Sequence, residues 1–263
     1  MEPLNIDPVI FEIGSLQVRW YGLMYVVGYV IGGFLLGKLS EKGYFKVAKE
    51  EIDKFVTYLL VGMFLGARFA YVFIYNWDYY SNNLAEMLSV WKGGLSFHGA
   101  IFGMAAAAYI FGRKRKIHLL EITDCCVLAG TQGIFWGRMG NFINSELYGR
   151  VTDVSWGIVF KGAGPYPRHP SQLYEGIGEG IILSIILWTL KPKFKYRGYL
   201  TGIFLIGYAF IRFNIEFFRE ADSQLGYYFN NTITMGQILC AVMILVGISM
   251  FFYGKKRNLL ITN

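Results

Sequence analysis

The 263-residue sequence predicts an all-α polytopic membrane protein with about seven transmembrane helices, and three observations carry that prediction. Of its residues 54% are hydrophobic and only 16% charged, against about 25% charged in an average soluble domain, which excludes disorder and argues against an ordinary soluble enzyme. Thirty-two glycines with six prolines suit helices that pack closely on small residues and do not suit a flexible linker. The net charge of +7 is gathered in short clusters between apolar runs, which is a topology signal and not the basic face that nucleic acid requires. The bilayer is the expected surrounding and nucleic acid is not an expected partner.

A helix crossing about 30 Å of hydrocarbon needs roughly 20 mostly apolar residues. Four runs meet this directly, 20–37, 55–75, 93–112 and 235–253. Three more carry internal charge: 117–136 holds Glu121 and Asp124, 176–190 holds Glu179, and 199–218 holds Arg212 and Glu216. The first eighteen residues contain Glu2, Asp7 and Glu12 and no basic segment leading into an apolar one, so a cleavable signal peptide is not expected. Sixteen of the 25 Lys and Arg fall in alternate connections: Lys38, Lys42, Lys46, Lys49 and Lys54; Arg113, Lys114, Arg115 and Lys116; Lys191, Lys193, Lys195 and Arg197; and Lys255, Lys256 and Arg257. Basic residues accumulate in cytoplasmic loops, which predicts an N-terminus outside and a C-terminus in the cytoplasm.

Residues 1–263 read as a single integral-membrane domain. Its longest connection, 137–175, is predicted to form an extracytoplasmic head insertion, β-rich over 154–160 and turn-rich over 162–167. In the second loop Leu84, Met87, Leu88 and Trp91 recur at helical spacing, which suits a helix lying in the membrane interface. Glycines four apart, Gly62 with Gly66, Gly99 with Gly103 and Gly198 with Gly202, predict close helix contacts. Cys125, Cys126 and Cys240 have neither metal-ligand spacing nor a disulfide pattern and read as core packing. Asn230 opens a glycosylation triplet of a kind that short patterns match by chance.

Charge inside hydrocarbon costs about 2.5 to 3.5 kcal/mol per residue at the bilayer centre, so each instance calls for a reason. On this topology Arg68, Arg212, His98, Tyr21, Arg138, Glu175 and Glu179 all belong to the outer half, with His98 roughly five residues inside its helix. Only Glu121 and Asp124 lie at the cytoplasmic end, where the basic cluster 113–116 is expected to neutralise them. Arg212, Glu216 and Arg219, spaced i, i+4, i+7, share one helix face and form either a structural ion-pair network or a functional stripe. Together with Arg68 and Arg138 they place more guanidinium than carboxylate in one leaflet, and guanidinium forks match phosphate oxygens. The inferred ligand is an anionic phospholipid head group. A multi-pass anion or lipid transporter is the alternative, but a carrier needs polar groups near the midplane reachable from both sides, and the inner half is largely apolar. Gly94, Ser96 and His98 do not form the G-x-S-x-G elbow of a serine hydrolase, and an intramembrane protease would need paired intramembrane aspartates.

Residues 137–149 read GRMGNFINSELYG, with Arg138, Asn141, Asn144 and Glu146 set between glycines. In order along the chain stand also RWYGLMY at 19–25, GARFAYVFIY at 66–75, GGLSFHGA at 93–100, HPSQLYE at 169–175 and RFNIEFFRE at 212–220. Together these segments resemble the bacterial phosphatidylglycerol–prolipoprotein diacylglyceryl transferase family over nearly the whole chain, the inner loops excepted. The resemblance implies transfer of the diacylglyceryl group from phosphatidylglycerol to the thiol of the lipobox cysteine in a prolipoprotein signal peptide. A thioether forms and glycerol 1-phosphate leaves. It also implies a bacterial plasma (inner) membrane location, an active site toward the outer leaflet, and no cofactor or metal.

That chemistry sets physical demands. A thiol has a pKa near 8.5, and a positioned base is worth about 10² to 10⁴ in rate. A histidine in an apolar helix is otherwise a buried hydrogen-bonding residue; the resemblance of FHGA makes His98 the candidate base. Charge developing on the departing phosphate is assigned to Arg138 and Arg212, with Arg68 and Arg219 completing the phosphate-binding set. Asn141 and Asn144 either bond the head group or satisfy backbone ends. Glu146 and Glu216 either orient arginines or form structural ion pairs. Tyr21 is an interfacial belt residue or, through the family's YG pair, a catalytic one. His169 before Pro170 reads as a helix entry.

Overall fold

Many large apolar side chains face outward while several charged ones are buried. In the computed structural model Val30, Phe34, Ile74, Phe102 and Phe252 are 63% to 74% exposed, while Glu175 and Glu179 are 0% exposed. That inversion is what hydrocarbon as a solvent demands. The structure describes residues 3–14, 16–89, 93–220, 227–228 and 233–260; Trp91 and the Asn230 triplet lie outside them. Among the described residues four helical stretches are long and apolar enough to cross a membrane, Trp20–Glu41, Lys49–Tyr75, Ser171–Lys193 and Met235–Lys256, and Tyr199–Ile215 is apolar but shorter.

An N-terminal hairpin, β1 (Val9–Ile13) and β2 (Leu16–Arg19), feeds directly into α1 (Trp20–Glu41). The apolar patterning of the sequence does not predict these strands. The chain divides into two compact units, Leu36–Ile122 and the pair Met1–Leu35 with Thr123–Asn263.

In the unit Leu36–Ile122, α2 (Ile52–Ala70) runs on through a π-helical turn, Tyr71–Tyr75. The helical turn α3 (Trp77–Tyr80) follows, and then α4 (Phe97–Arg115). The two predicted glycine pairs interlock α2 with α4. A Cβ on Gly62 would stand 2.6 Å from the Ala107 Cβ, and one on Gly103 would stand 2.9 Å from the Gly66 Cα. Phe55 seals the far end between the rings of Phe45 at 5.4 Å and Phe111 at 4.9 Å. Arg115 of the basic cluster pairs with Glu51.

Two expectations in this unit are corrected. The interfacial helix around Leu84 and Met87 is a 3₁₀ segment, Leu84–Leu88, whose carbonyls at Glu86 and Met87 accept hydrogen bonds from Arg68, that of Glu86 in addition to Ser89 N. The helix expected from 93 starts at Phe97. Gly93 and Gly94 have φ of +84° and +83°, and the Ser96 hydroxyl caps the helix by accepting from Gly99 N at 3.1 Å. His98 is therefore the second residue of α4.

The other unit holds α6 (Gln132–Ile143), which follows α5 (Leu119–Gly130) with only Thr131 between them. α7 (Ser171–Glu175) continues through a π-helical segment, Gly176–Ile182, into α8 (Leu183–Leu190), and α9 (Tyr199–Ile215) and α10 (Met235–Lys256) complete the set. The two-residue strands β3 (Tyr227–Tyr228) and β4 (Ile233–Thr234) pair just before α10. Helical structure expected to end at 136 continues to Ile143, so Arg138 lies inside α6 and the irregular connection begins after it. The charge does not end the helix because Glu175 pairs with it inside the bundle. Residues 154–160 contribute isolated bridges, such as Ile158 with Arg168, in place of a strand.

Asp124 serves the start of α9. Its carboxylate accepts from Gly198 N at 2.7 Å and from Thr201 N at 2.8 Å, capping α9 from another helix, where an anion meets the positive end of the helix dipole. Gly198, with φ +88°, belongs to this turn and not to a helix contact. Its partner Gly202 packs against Gly247 of α10, whose carbonyl a Cβ would meet at 2.9 Å. Cys125 and Cys240 are buried and form no disulfide among the described residues.

Gly103→Leu is expected to lower stability by more than about 2 kcal/mol through overpacking, read as a fall in the melting temperature of the detergent-solubilised protein. Gly37→Ala, where nothing lies within 4 Å of the added atom, should leave it unchanged.

Candidate active site

Glycines on one helix bring its neighbours within reach of a single carboxylate. In the segment Gly176–Ile182 a Cβ on Gly180 would stand 2.6 Å from Phe135 N of α6, and one on Gly176 3.3 Å from the Arg138 Cβ. On another side a Cβ on Gly178 would stand 2.7 Å from Ile211 of α9. π-helical stretches of this sort recur at functional sites.

Glu175, completely buried just before this segment, is the convergence point. Its Oε2 lies 2.6 Å from Arg138 Nε, and its Oε1 accepts from Arg212 Nη1 and Arg219 Nη1, both at 2.7 Å. Arg212 Nη2 reaches Glu216 Oε2 at 2.9 Å, and Arg219 Nε stands 3.6 Å from the same oxygen. Glu216 Oε1 accepts from the Thr234 hydroxyl at 3.0 Å, which ties the cluster to the start of α10. The predicted stripe of Arg212, Glu216 and Arg219 is therefore present, although α9 ends at Ile215 and Arg219 lies beyond the helix. Arg150 Nε donates to the Arg219 carbonyl at 2.6 Å, holding Arg219 from the side of the irregular connection.

Arg138 spends only its Nε on Glu175. Its two terminal nitrogens make no hydrogen bond among the described residues, and the side chain keeps 21% exposure. A guanidinium with its terminal fork free is suited to bidentate contact with an oxyanion.

One turn along α6 is a second polar group. Asn141 Nδ2 and Asn144 Nδ2 donate to the two carboxylate oxygens of Glu146 at 3.3 and 3.4 Å. Neither amide caps a backbone end. Glu146 thus pairs with asparagines and orients none of the arginines in an ion pair, which corrects one expectation, whereas Glu216 does pair with Arg212. The loop that carries Glu146 is pinned by Gln172 Nε2 on the Glu146 carbonyl at 2.7 Å and Ser171 Oγ on the Leu147 carbonyl at 3.0 Å. Tyr21 packs its ring on Gly140, where a Cβ would stand 2.8 Å from Tyr21 Cδ2, and its hydroxyl lies 3.0 Å from that of Tyr25. His169 Nδ1 lies 3.2 Å from the Tyr174 hydroxyl, which also accepts from Trp156 Nε1 at 2.7 Å.

Arg68 and His98 belong to the Leu36–Ile122 unit. Arg68 is a correction. Its Nε donates to the Met87 carbonyl, Nη1 to the carbonyls of Gly93 and Gly94, and Nη2 to the Glu86 carbonyl and the Tyr80 hydroxyl, at 2.7 to 3.3 Å. All its N–H groups are used on the loop, so it clamps that loop to α2 and has none left for phosphate. His98 is exposed, with Nδ1 3.4 Å from the Tyr75 hydroxyl.

Sequence reasoning missed the centrality of Glu175, which it placed only as a charge near a helix start. The available signal was the excess of Arg138, Arg212 and Arg219 over Glu216, which called for another carboxylate, and HPSQLYE supplies it.

Helices that turn apolar surface outward and enclose a guanidinium–carboxylate cluster define an integral membrane protein with a charged interior centre. The family model for prolipoprotein diacylglyceryl transferase matches residues 8–253, and the chain belongs to that family. Relatives named phosphatidylglycerol–prolipoprotein diacylglyceryl transferase include that of Pseudoalteromonas atlantica, 44% identical over 97% of this chain and 91% of its own. The Pasteurella multocida protein is 45% identical over 97% of each chain. That of Rickettsia felis is 46% identical over 92% of this chain and 95% of its own. Membership of this family does not favour the transporter alternative.

Removing one member of a buried ion-pair cluster typically costs about 3 to 5 kcal/mol because its partners stay charged and unpaired. Glu175→Gln, which leaves Arg138 without a carboxylate and Arg212 and Arg219 with Glu216 alone, is expected to fall in this range by thermal unfolding in detergent. A loss below about 1 kcal/mol would mean that Glu175 does not organise the cluster.

Proposed function

We propose that the protein transfers the diacylglyceryl group of phosphatidylglycerol to the thiol of a prolipoprotein lipobox cysteine, forming a thioether and releasing glycerol 1-phosphate. The observation that carries this reading is the free guanidinium fork of Arg138, in a chain that belongs to the transferase family. In this reading the chain crosses the bacterial inner membrane about seven times as one transferase domain, with its N-terminus outside, its C-terminus in the cytoplasm and its head insertion at the outer face.

The lipid phosphodiester binds the terminal nitrogens of Arg138, and Arg212, the other partly exposed member of the cluster, adds positive field from beside it. Glu175 fixes both guanidiniums, so no reorganisation is needed as charge moves onto the phosphate oxygen. Asn141 near the end of α6, with Asn144 and Glu146 just beyond it, receives the hydroxyls of the head-group glycerol, and Tyr21 closes the site where its ring rests on Gly140. Arg219, almost fully buried, positions Glu175 and Glu216. His98, whose Nδ1 faces Tyr75, uses Nε2 to take the thiol proton. The thiolate sulfur then bonds to the glyceryl carbon while the carbon–oxygen bond breaks and its electron pair stays on the departing glycerol phosphate, which accepts the proton.

Purified protein is expected to release glycerol 1-phosphate only when phosphatidylglycerol and a cysteine-bearing lipobox peptide are supplied together. Equal release with a Cys→Ala peptide rejects the transfer chemistry. Arg138→Lys should lose activity by 100-fold or so, since an ammonium cannot reproduce a bidentate fork; wild-type turnover removes Arg138 from the phosphate site. His98→Gln should fold and react roughly 100-fold more slowly with a flattened pH–rate profile, and an unchanged profile places the base elsewhere.

A further inference from the structure

Glu179 is 0% exposed, and neither of its carboxylate oxygens has a hydrogen-bond partner among the described residues. The proposed reaction leaves it without a role. It stands one turn after Glu175 on the same helix, in the π-helical segment Gly176–Ile182. The groups that act on it electrostatically are Glu175 on its own helix, Arg138 from α6, Tyr208 and Arg212 from α9, Arg219 just beyond α9 and Cys240 from α10. An ionised carboxylate in such a place, lacking any hydrogen bond, is held as an anion only by the neighbouring guanidiniums.

The charge balance of the cluster then sets its response to an incoming ligand. Arg138, Arg212 and Arg219 supply three positive charges, and Glu175 and Glu216, both ion-paired, supply two negative ones. With Glu179 ionised the cluster is neutral and has no net attraction for an anion. With Glu179 protonated it carries a single positive charge, which matches the single negative charge of a phosphodiester. We propose that Glu179 is a positioning residue that takes up one proton when the lipid phosphodiester binds, so that the buried cluster stays neutral in both states. No bond other than the carboxyl O–H is made. The proton comes from water, and the same proton returns to water when the anion leaves. This rests on the reading of Arg138 and Arg212 as the phosphate site.

Linkage gives the sign. A ligand that binds the protonated form gains affinity as pH falls and loses up to about tenfold per pH unit as pH rises through the titration of free Glu179. The test is binding of phosphatidylglycerol to the full-length protein in detergent with no acceptor peptide, so that no turnover intervenes. Calorimetry between about pH 5.5 and 8.5, in two buffers of different ionisation heat, gives affinity and protons taken up. Wild type is expected to take up close to one proton within the window and to show the matching slope. Glu179→Gln, which keeps the shape and mimics the protonated form, should bind within about twofold at every pH and take up none. His98→Gln should keep the slope. No proton uptake by wild type, whose binding is still weakened by Arg138→Lys, overturns the role of Glu179 and leaves the phosphate site standing. Binding indifferent to Arg138→Lys overturns the phosphate site itself. A slope that survives in Glu179→Gln, or that vanishes in His98→Gln, assigns the proton to another group and also overturns the inference. The wild-type proton count stands even if Glu179→Gln does not fold.

Discussion

One buried carboxylate shared among three guanidiniums is the constraint on which the rest of this protein depends. Glu175 has no contact with solvent, and its two oxygens receive Arg138, Arg212 and Arg219 from α6, α9 and the turn beyond α9. Ionic groups enclosed in this way are costly to desolvate and are held there only by good mutual geometry. Helix packing supplies it. The glycines at 176, 178 and 180 let α6 and α9 approach on different sides of one helix, and Thr234 secures Glu216 from the start of α10. Packing and electrostatics are therefore not separable here: a methyl group at Gly180 and a missing charge at Glu175 would damage the same arrangement by different routes.

The Leu36–Ile122 unit has its own version of the same economy. Arg68 is buried, yet among the described residues it meets carbonyl oxygens and a hydroxyl and no carboxylate. Five hydrogen bonds to the backbone and to Tyr80 spread its charge over neutral dipoles. Arg68 thereby holds the backbone at Glu86, Met87, Gly93 and Gly94, next to the Ser96 cap and His98 at the second position of α4. A residue that sequence reasoning set among the phosphate ligands instead fixes the backbone from which the candidate base projects.

What the sequence disclosed and what it hid divide along the range of the interactions. The stripe of Arg212, Glu216 and Arg219 was legible because its spacing is local, and the interlocking of Gly62 and Gly66 with Gly99 and Gly103 was legible because small residues four apart carry a packing meaning by themselves. The family likeness was legible from ordered motifs. Glu175 as a hub was not, since Arg138 and Arg212 stand far from it along the chain on either side, Arg212 at a separation of 37 residues, and nothing in a linear pattern couples them. Arg68 was misread because carbonyl partners leave no trace in side-chain identity. The start of α4 and the end of α6 were misplaced because glycines with positive φ look like small packing residues, and because an arginine inside a bundle looks like an exit from the membrane.

Asp124 holds the first turn of α9 through Gly198 and Thr201, while Glu175 and Glu216 hold Arg212 near its other end. α9 is thus a spacer fastened at both ends, and its length serves as a gauge. Each residue added or removed between the fastenings would turn Arg212 by about 100° and shift it by about 1.5 Å, taking it off Glu175. A change of side chain on the free face of this helix would leave both fastenings in place, whereas a change of length would break one of them.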